Sequence, residues 1–336
     1  MPDIAGAHGK THLQMSRPTK GYLIGIVGVT FWSTTGVFIG YLTNHHDMPP
    51  LLVALWRDAL VCMAVTSALF VVRRSLLRMN RAHVPFFLIY GLELGIFNSV
   101  WILSVRLNGA AVSTVLAYGS AGFTALLAWW FLKEQLGPVK IVAVILSLGG
   151  CVFVANAHDP KMWMTNPLAL SVGLVSGLLF AIYNLMGKGA VERGINPWSA
   201  MAFSFGIAAI SILFFNLIPG LPGAAGSVSG LLPALPTPGW LALVTVSFIP
   251  SVLGFGLFIT SMSYLPASVA NLLATLEPVM TAVQAYLLLG ERMSALQIFG
   301  SALVIVAVVI VRLAEDWRKK GSLPREAEIL SPSASE

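Results

Sequence analysis

The run Leu265-Pro266-Ala267-Ser268-Val269-Ala270-Asn271-Leu272-Leu273-Ala274-Thr275-Leu276-Glu277-Pro278 opens a segment, Leu265–Glu291, that has a partner earlier in the chain. Laid over Asn108–Glu134 at a shift of 157 positions, it is identical at nine of 27 pairs, among them Ala110/Ala267, Leu116/Leu273, Ala117/Ala274, Thr124/Thr281, Ala125/Ala282 and Glu134/Glu291. Apolar composition alone yields some matches. A glutamate at the same place just past each apolar run is harder to obtain by chance, so the chain reads as two related halves.

The surroundings of both segments say which solvent they fold in. Of 336 residues, 57% are hydrophobic and only 10% are charged, against about 25% charged in an ordinary globular protein. Charge this sparse cannot cover two water-soluble domains. A helix needs roughly 20 mainly apolar residues to cross the hydrocarbon. Such runs fall near 21–43, 50–72, 84–104, 109–132, 138–155, 167–187, 197–219, 239–263, 267–289 and 294–313. The expected fold is an all-α integral membrane protein of ten transmembrane helices. With five spans in each half the second enters the bilayer upside down, which gives two inverted five-helix repeats.

The boundaries follow: a cytoplasmic N-terminal tail over 1–20, a first repeat over 21–155, a second over 167–313, and a cytoplasmic tail over 314–336. That last tail mixes charge with Ser and Pro and is expected to be disordered. The first apolar run ends in Leu42-Thr43-Asn44-His45-His46 without a small-residue cleavage site, so it reads as a span and not as a signal peptide. With the N-terminus inside, sixteen Lys and Arg fall in cytoplasmic segments and three, Arg106, Lys161 and Arg292, fall outside. The positive-inside rule therefore places both termini in the cytoplasm of a cell inner or plasma membrane.

The same placement disposes of several functions. The net charge of +6 comes from short basic clusters between apolar runs, so no nucleic-acid partner is expected. Cys62 and Cys151 sit inside apolar runs without a second thiol or histidine at ligand spacing, and His45-His46-Asp47 reads as a solvated turn. No metal and no cofactor is expected. A Gly-x-x-x-x-Gly-Lys-Ser/Thr run is absent from the sequence, so transport, if that is the activity, is secondary.

Charged groups at membrane depth cost at least about 2.5–3.5 kcal/mol each and need a partner or a wet cavity. Arg57, Asp58, Glu93 and Glu277 are such groups. Gly91 and Gly95 form a small-xxx-small face for close helix contact, and Glu93 points roughly 200° from Gly91. Tyr90, Phe97 and Trp101 share its side, and one carboxylate in an aromatic stripe can wall a pocket for an amphipathic substrate or take a proton. Alternatively Glu93 is salt-bridged to Arg57, within a packing stripe. Glu277 precedes Pro278, which frees a backbone carbonyl and can bend the helix at mid-membrane, where transporters place their sites. Arg57 either holds a substrate carboxylate or ties helices together. Glu134 and Glu291 are expected to fix helix ends. Trp32, Ser33, Thr34 and Thr35 in the first half, and Tyr183 and Asn184 in the second, occupy comparable places. The candidate substrate-binding set is Trp32, Tyr90, Glu93, Phe97, Asn98, Trp101, Tyr118, Tyr183, Asn184 and Glu277.

Ala270-Asn271-Leu272-Leu273-Ala274-Thr275-Leu276-Glu277-Pro278-Val279, followed by Leu288-Leu289-Gly290-Glu291-Arg292, resembles the signature of the drug/metabolite transporter superfamily, in particular its EamA-type ten-helix permeases. Phe31-Trp32-Ser33 and the Pro50-to-Arg57 stretch are similar to the family's first and second spans, and the resemblance covers roughly 21–155 and 167–313. The first half departs from it: Ser120-Ala121 stands where a Ser-Pro or Glu-Pro is usual, and Lys133-Glu134 replaces Gly-Glu. The resemblance implies a permease working by alternating access on a small-molecule substrate. An amino acid or similar zwitterion moved outward is the leading expectation, with protons as a possible coupling ion. Efflux of lipophilic cations or drugs, and an integral-membrane enzyme, are the alternatives.

Overall fold

The computed structural model describes residues 16–155, 157–163, 167–289 and 294–321, and these form helices and connectors without a strand. In chain order the α-helices are α1 (Arg17–Trp32), α2 (Thr35–Gly40), α3 (Pro50–Val72), α4 (Val84–Tyr118), α5 (Ser120–Phe131), α6 (Pro138–Val154), α7 (Pro167–Glu192), α8 (Pro197–Asn216), α9 (Thr237–Val246), α10 (Gly256–Ser261), α11 (Ala267–Ala274), α12 (Glu277–Leu289) and α13 (Ala295–Gly321). Seven helical stretches among the described residues are long and apolar enough to cross a membrane, and Val115–Phe131 and Pro138–Val154 are shorter apolar helices. Large apolar side chains face outward in numbers no aqueous surface tolerates, Val71, Val72 and Trp130 among them. The molecule is a multi-pass membrane protein.

Several α-helices begin with proline at the first turn, where its missing N–H costs nothing: Pro50, Pro138, Pro167 and Pro197 all open their helices. Asn196 adds a side-chain cap to α8 by accepting from the Trp198 N–H at 3.0 Å. α4 keeps helical hydrogen bonding over 35 residues, yet Ser104 donates to Ser113 Oγ at 2.9 Å. A straight helix would set residues nine apart about 13.5 Å from one another. The chain therefore reverses near Asn108, whose amide holds the corner by donating to Ser104 Oγ at 3.2 Å and to Ala169 O at 2.7 Å. This corner falls at the expected boundary between 84–104 and 109–132.

Close helix pairs are made by small residues. A methyl added at Gly91 would lie 2.4 Å from Ile207 Cβ, so the Gly91–Gly95 face does pack on α8 as its spacing predicts. Gly150 of α6 and Gly300 of α13 meet in the same way, each one's added Cβ falling 2.6 Å from the other's carbonyl oxygen. Gly254 lets the backbone of Trp32 approach, 2.9 Å from N to the position a Cβ would take.

Two ends differ from expectation. α1 begins at Arg17, before residue 21, and α13 continues as helix to Gly321, eight residues past 313. The tail expected to be disordered from 314 thus starts as helix; residues 322–336 and 1–15 lie outside the described residues, as does Glu291.

Candidate functional site

Three long helical stretches are broken at mid-length, and the breaks face one another. The first comes at Ser33–Thr34 between α1 and α2, the second at Gly119 between α4 and α5, and the third at Thr275–Leu276 between α11 and α12. The third precedes Glu277-Pro278, so Pro278 occupies the first turn of a new helix and does not bend a continuous one. The second lies at the position aligned with Leu276, without any proline in Ser120-Ala121. The break is therefore a property of both halves, and proline is not its only cause.

A broken helix exposes carbonyls and donors that lipid cannot satisfy. Here neighbouring side chains take them. Gln284 donates to Thr30 O at 2.9 Å and to Ser33 Oγ at 2.9 Å, and Thr281 donates to Ser33 O at 3.0 Å, closing the end of α1 from α12. Thr275 folds back onto Leu272 O at 2.6 Å, Ser147 bonds its hydroxyl at 2.6 Å, and Cys151 Sγ reaches Thr275 O at 3.7 Å. Across the halves Asn271 donates to Thr124 at 2.8 Å and to Ser120 at 3.2 Å. Tyr118, just before the second break, donates to the Glu277 carboxylate just after the third.

The stretch 237–261 loosens in another way. Pro250 has no N–H for Val246 O, and the Ser251 hydroxyl supplies the bond instead at 2.7 Å. The backbone widens to a π-helix over Ser247–Phe255, as π turns do near functional sites. The result carries Phe255 onto Trp32, with ring centroids 4.4 Å apart.

Between these breaks lies a cavity lined by Trp32, Thr35, Arg57, Phe97, Asn98, Trp101, Ala117, Tyr118, Phe180, Phe255 and Glu277. It is narrow: only about 20 Å³ is open to the centre of a water molecule, room for one or two waters. Its aromatic wall is continuous, Phe97 stacking on Phe180 at 5.2 Å and 17°, and Phe180 meeting Trp32 edge-on at 5.5 Å. The polar groups divide by charge. Arg57 stands on α3, with Nε donating to Asp58 Oδ1 at 3.0 Å while Asn98 holds Asp58 Oδ2 at 2.7 Å. Its terminal Nη2 lies 3.0 Å from the same Asp58 oxygen but makes no hydrogen bond there. Glu277 supplies the negative group from the second half.

Of the ten candidates from sequence, Trp32, Phe97, Asn98, Trp101, Tyr118 and Glu277 line this cavity, and Tyr90, Glu93, Tyr183 and Asn184 do not. Tyr183 stacks behind the wall, on Tyr90 at 5.3 Å and on Phe97 at 6.2 Å. Asn184 spends its amide on Phe180 O at 2.8 Å. Glu93 is buried with neither oxygen hydrogen-bonded, and Arg57 pairs with its own neighbour Asp58, so the alternative of a Glu93–Arg57 bridge is not what the fold makes. Phe180, Phe255 and Ala117 were not singled out. Only Pro250, inside an apolar span, signals the distortion that brings Phe255 to the site.

The connector between α10 and α11 carries a second set of contacts. Lys188 donates to Met262 O at 3.0 Å and Leu265 O at 3.1 Å, past the C-terminus of α10. Glu134 accepts the Ala267 N–H at 2.8 Å and the Ser268 hydroxyl, at the N-terminus of α11, where the helix dipole favours an anion. Glu134 thus fixes the end of a helix from the other half.

Comparison with known proteins gives this cavity a setting. The EamA-like transporter family matches over residues 19–156 and again over 167–313. The chain belongs to that family. Among similar proteins of this EamA-like chain, one from Escherichia coli K12 is named a probable amino-acid metabolite efflux pump, 25% identical over 308 residues that cover 91% of this chain and 98% of that protein. A Clostridium kluyveri relative named an uncharacterized transporter is 22% identical, covering 87% and 92%. An inner membrane transporter of Salmonella typhimurium is 23% identical, covering 92% and 100%. One solved crystal structure superposes with a TM-score of 0.70 at 16% identity, over 88% of this chain and 97% of the other, which shows a shared fold. This EamA-like protein is a membrane transporter.

Proposed function

We propose that this transporter exports an amino acid or similar zwitterion through the cavity between two inverted five-span halves, ten spans in all, with both termini cytoplasmic. The observation that carries the reading is the pairing of a guanidinium, Arg57 of the first half, with a carboxylate, Glu277 of the second, across one aromatic-walled cavity. A substrate carboxylate suits the planar fork of Arg57, whose Nη2 has no hydrogen-bond acceptor. A substrate ammonium suits Glu277, and the rings of Trp32, Phe97, Phe180 and Phe255 suit an apolar side chain and attract its cationic end. The name of the Escherichia coli relative supports both the substrate class and the outward direction. The narrowness of the cavity supports alternating access, because a zwitterion enters only when the halves part.

The test is counterflow of radiolabelled amino acids into proteoliposomes loaded with the same unlabelled compound. Transient accumulation is expected with the parent protein and is lost in Glu277→Gln and Arg57→Met. Failure of every amino acid, together with accumulation of tetraphenylphosphonium, would replace this reading with efflux of lipophilic cations.

A further inference from the structure

The polar groups that the substrate cavity leaves unused gather on the α4–α7 interface. Glu93 is 8% exposed and both of its carboxyl oxygens lack a hydrogen-bond partner. The hydroxyls of Tyr90 and Tyr183, both residues fully buried, have no partner apart from each other. A buried carboxyl left unpaired carries its full desolvation penalty, and ionisable groups in membrane spans mark ion or proton pathways. Tyr90 lies one turn before Glu93 on α4, and both it and Tyr183 of α7 lie in the electrostatic field of Glu93. A buried carboxyl without a hydrogen-bond partner therefore shares the α4–α7 interface with two phenols, neither of which is bonded to it.

We propose that Glu93, flanked by the Tyr90 and Tyr183 phenols, is a proton-binding site separate from the substrate cavity and mechanically joined to it through the ring of Tyr183. The use of that site in coupling rests on the transport reading; its existence does not. A proton is favoured over a metal ion because no group of three or more His, Cys, Asp or Glu among the described residues could hold a metal, and Asp58, which also acts on Tyr183, is engaged by Arg57 and Asn98. The step forms one O–H bond on a Glu93 oxygen with a proton from water, and breaks it when the proton is returned to water.

The joint to the cavity is geometric. Phe97 and Phe180, which line the cavity, stack on each other and on Tyr183, at 5.2, 6.2 and 6.3 Å, and Tyr183 stacks in turn on Tyr90 at 5.3 Å. Glu93 and Phe97 are one helical turn apart on α4, as Phe180 and Tyr183 are on α7. Parting Phe97 from Phe180 to admit a substrate thus moves Tyr183, which stacks on both and lies in the field of Glu93. Two sites that share a moving element bias each other's occupancy, and the bias is reciprocal. Of the packed elements, α7 carries Lys188, which donates to Met262 O and Leu265 O, and Glu192 at its C-terminal end, and the turn Arg81–His83 before α4 carries Arg81 and His83. α3 brings Cys62 and the Arg57–Asp58 pair, which acts on Tyr183; α6 brings Lys140 and Cys151, engaged by Glu134 with Ser268 and by Thr275; α2, α5 and α8 bring none.

The experiment is infrared difference spectroscopy of the purified full chain in lipid across a pH titration, with pyranine-loaded proteoliposomes as a second readout after addition of a pool of the twenty amino acids. The expected result is one pH-dependent carboxyl band that disappears in Glu93→Gln and changes frequency in Tyr183→Phe. Should Glu93→Gln fail to fold, Glu93→Asp reports the same group by a displaced band. The same carboxyl bands in parent and Glu93→Gln, or an undisplaced band in Glu93→Asp, would overturn the proposal whatever the vesicles do. A band specific to Glu93 without amino-acid-driven proton movement would uphold the proton site and count against the amino-acid reading.

Discussion

Asp58→Asn isolates the buried ion pair that Arg57 of the cavity wall makes with its neighbour. Arg57 and Asp58 are 1% and 0% exposed, and the carboxylate takes Arg57 Nε at 3.0 Å and Asn98 Nδ2 at 2.7 Å. The substitution keeps shape and one acceptor oxygen for Arg57. Asn98 can turn its amide over to offer an oxygen to the new NH2 group, so both hydrogen bonds are recoverable. The charge is not. A buried guanidinium left without its counter-ion destabilises by about 3–5 kcal/mol, roughly two to three and a half powers of ten in the folding equilibrium. Removing all three groups, as Arg57→Met with Asp58→Leu and Asn98→Leu, leaves no buried charge or orphan amide and returns stability to within about 1 kcal/mol of the parent. The measurement is reversible unfolding of the purified variants in micelles. Asp58→Asn within about 1 kcal/mol of the parent, or a triple variant no better than the single one, would refute the reasoning. The triple variant also separates roles: if Arg57 receives the substrate, it folds normally and shows no counterflow.

Three other perturbations test the breaks, the packing and the topology. Tyr118→Phe deletes the bond from one half to Glu277 in the other. Interhelical bonds in membranes contribute about 0.6–1.7 kcal/mol, so labelling of a cysteine placed at Ala117 in the cavity wall should quicken by about 3- to 18-fold; an unchanged rate would mean the bond does not hold the halves together. Gly300→Ala should destabilise by about 1–3 kcal/mol, because its methyl would lie 2.6 Å from Gly150 O, while Gly149→Ala, with nothing within 4 Å, should be silent in the same unfolding assay. Cysteines replacing Ser227 and Ser333 should react with an impermeant reagent in intact cells only at Ser227; reaction at Ser333 would invert the orientation.

Much of this was legible in the sequence because membrane folding is governed by length and by polar exceptions. Apolar runs marked the helices, and the Gly91–Gly95 spacing named a contact with a neighbouring helix that α8 fills. The helical wheel turns Glu93 away from that contact, but a wheel gives only a direction. It does not say that Tyr183 of α7 would stack behind the cavity wall, on Tyr90 and Phe97. Consecutive residues lie about 100° apart around a helix, yet the long Arg57 side chain folds back onto its neighbour Asp58. Phe180 and Phe255 were invisible because one phenylalanine in an apolar span resembles any other. The break at Gly119 was hidden too, since its cause lies in what crosses it: Tyr118 reaching Glu277 and Asn271 reaching Ser120.

That Arg57 and Asp58 are consecutive residues of one helix has an electrical consequence. A pair carried on a single rigid element moves as a neutral unit, so rocking α3 through the bilayer transfers no net charge by way of these two groups. Moving one elementary charge across the whole membrane takes about 2.3 kcal/mol per 100 mV. Bound side by side, a cation and an anion cancel that work, and the conformational cycle runs at the same rate in an energised cell as in a resting one as far as this pair is concerned. Asp58→Asn would leave the cation alone on the moving helix and make that step sensitive to membrane potential.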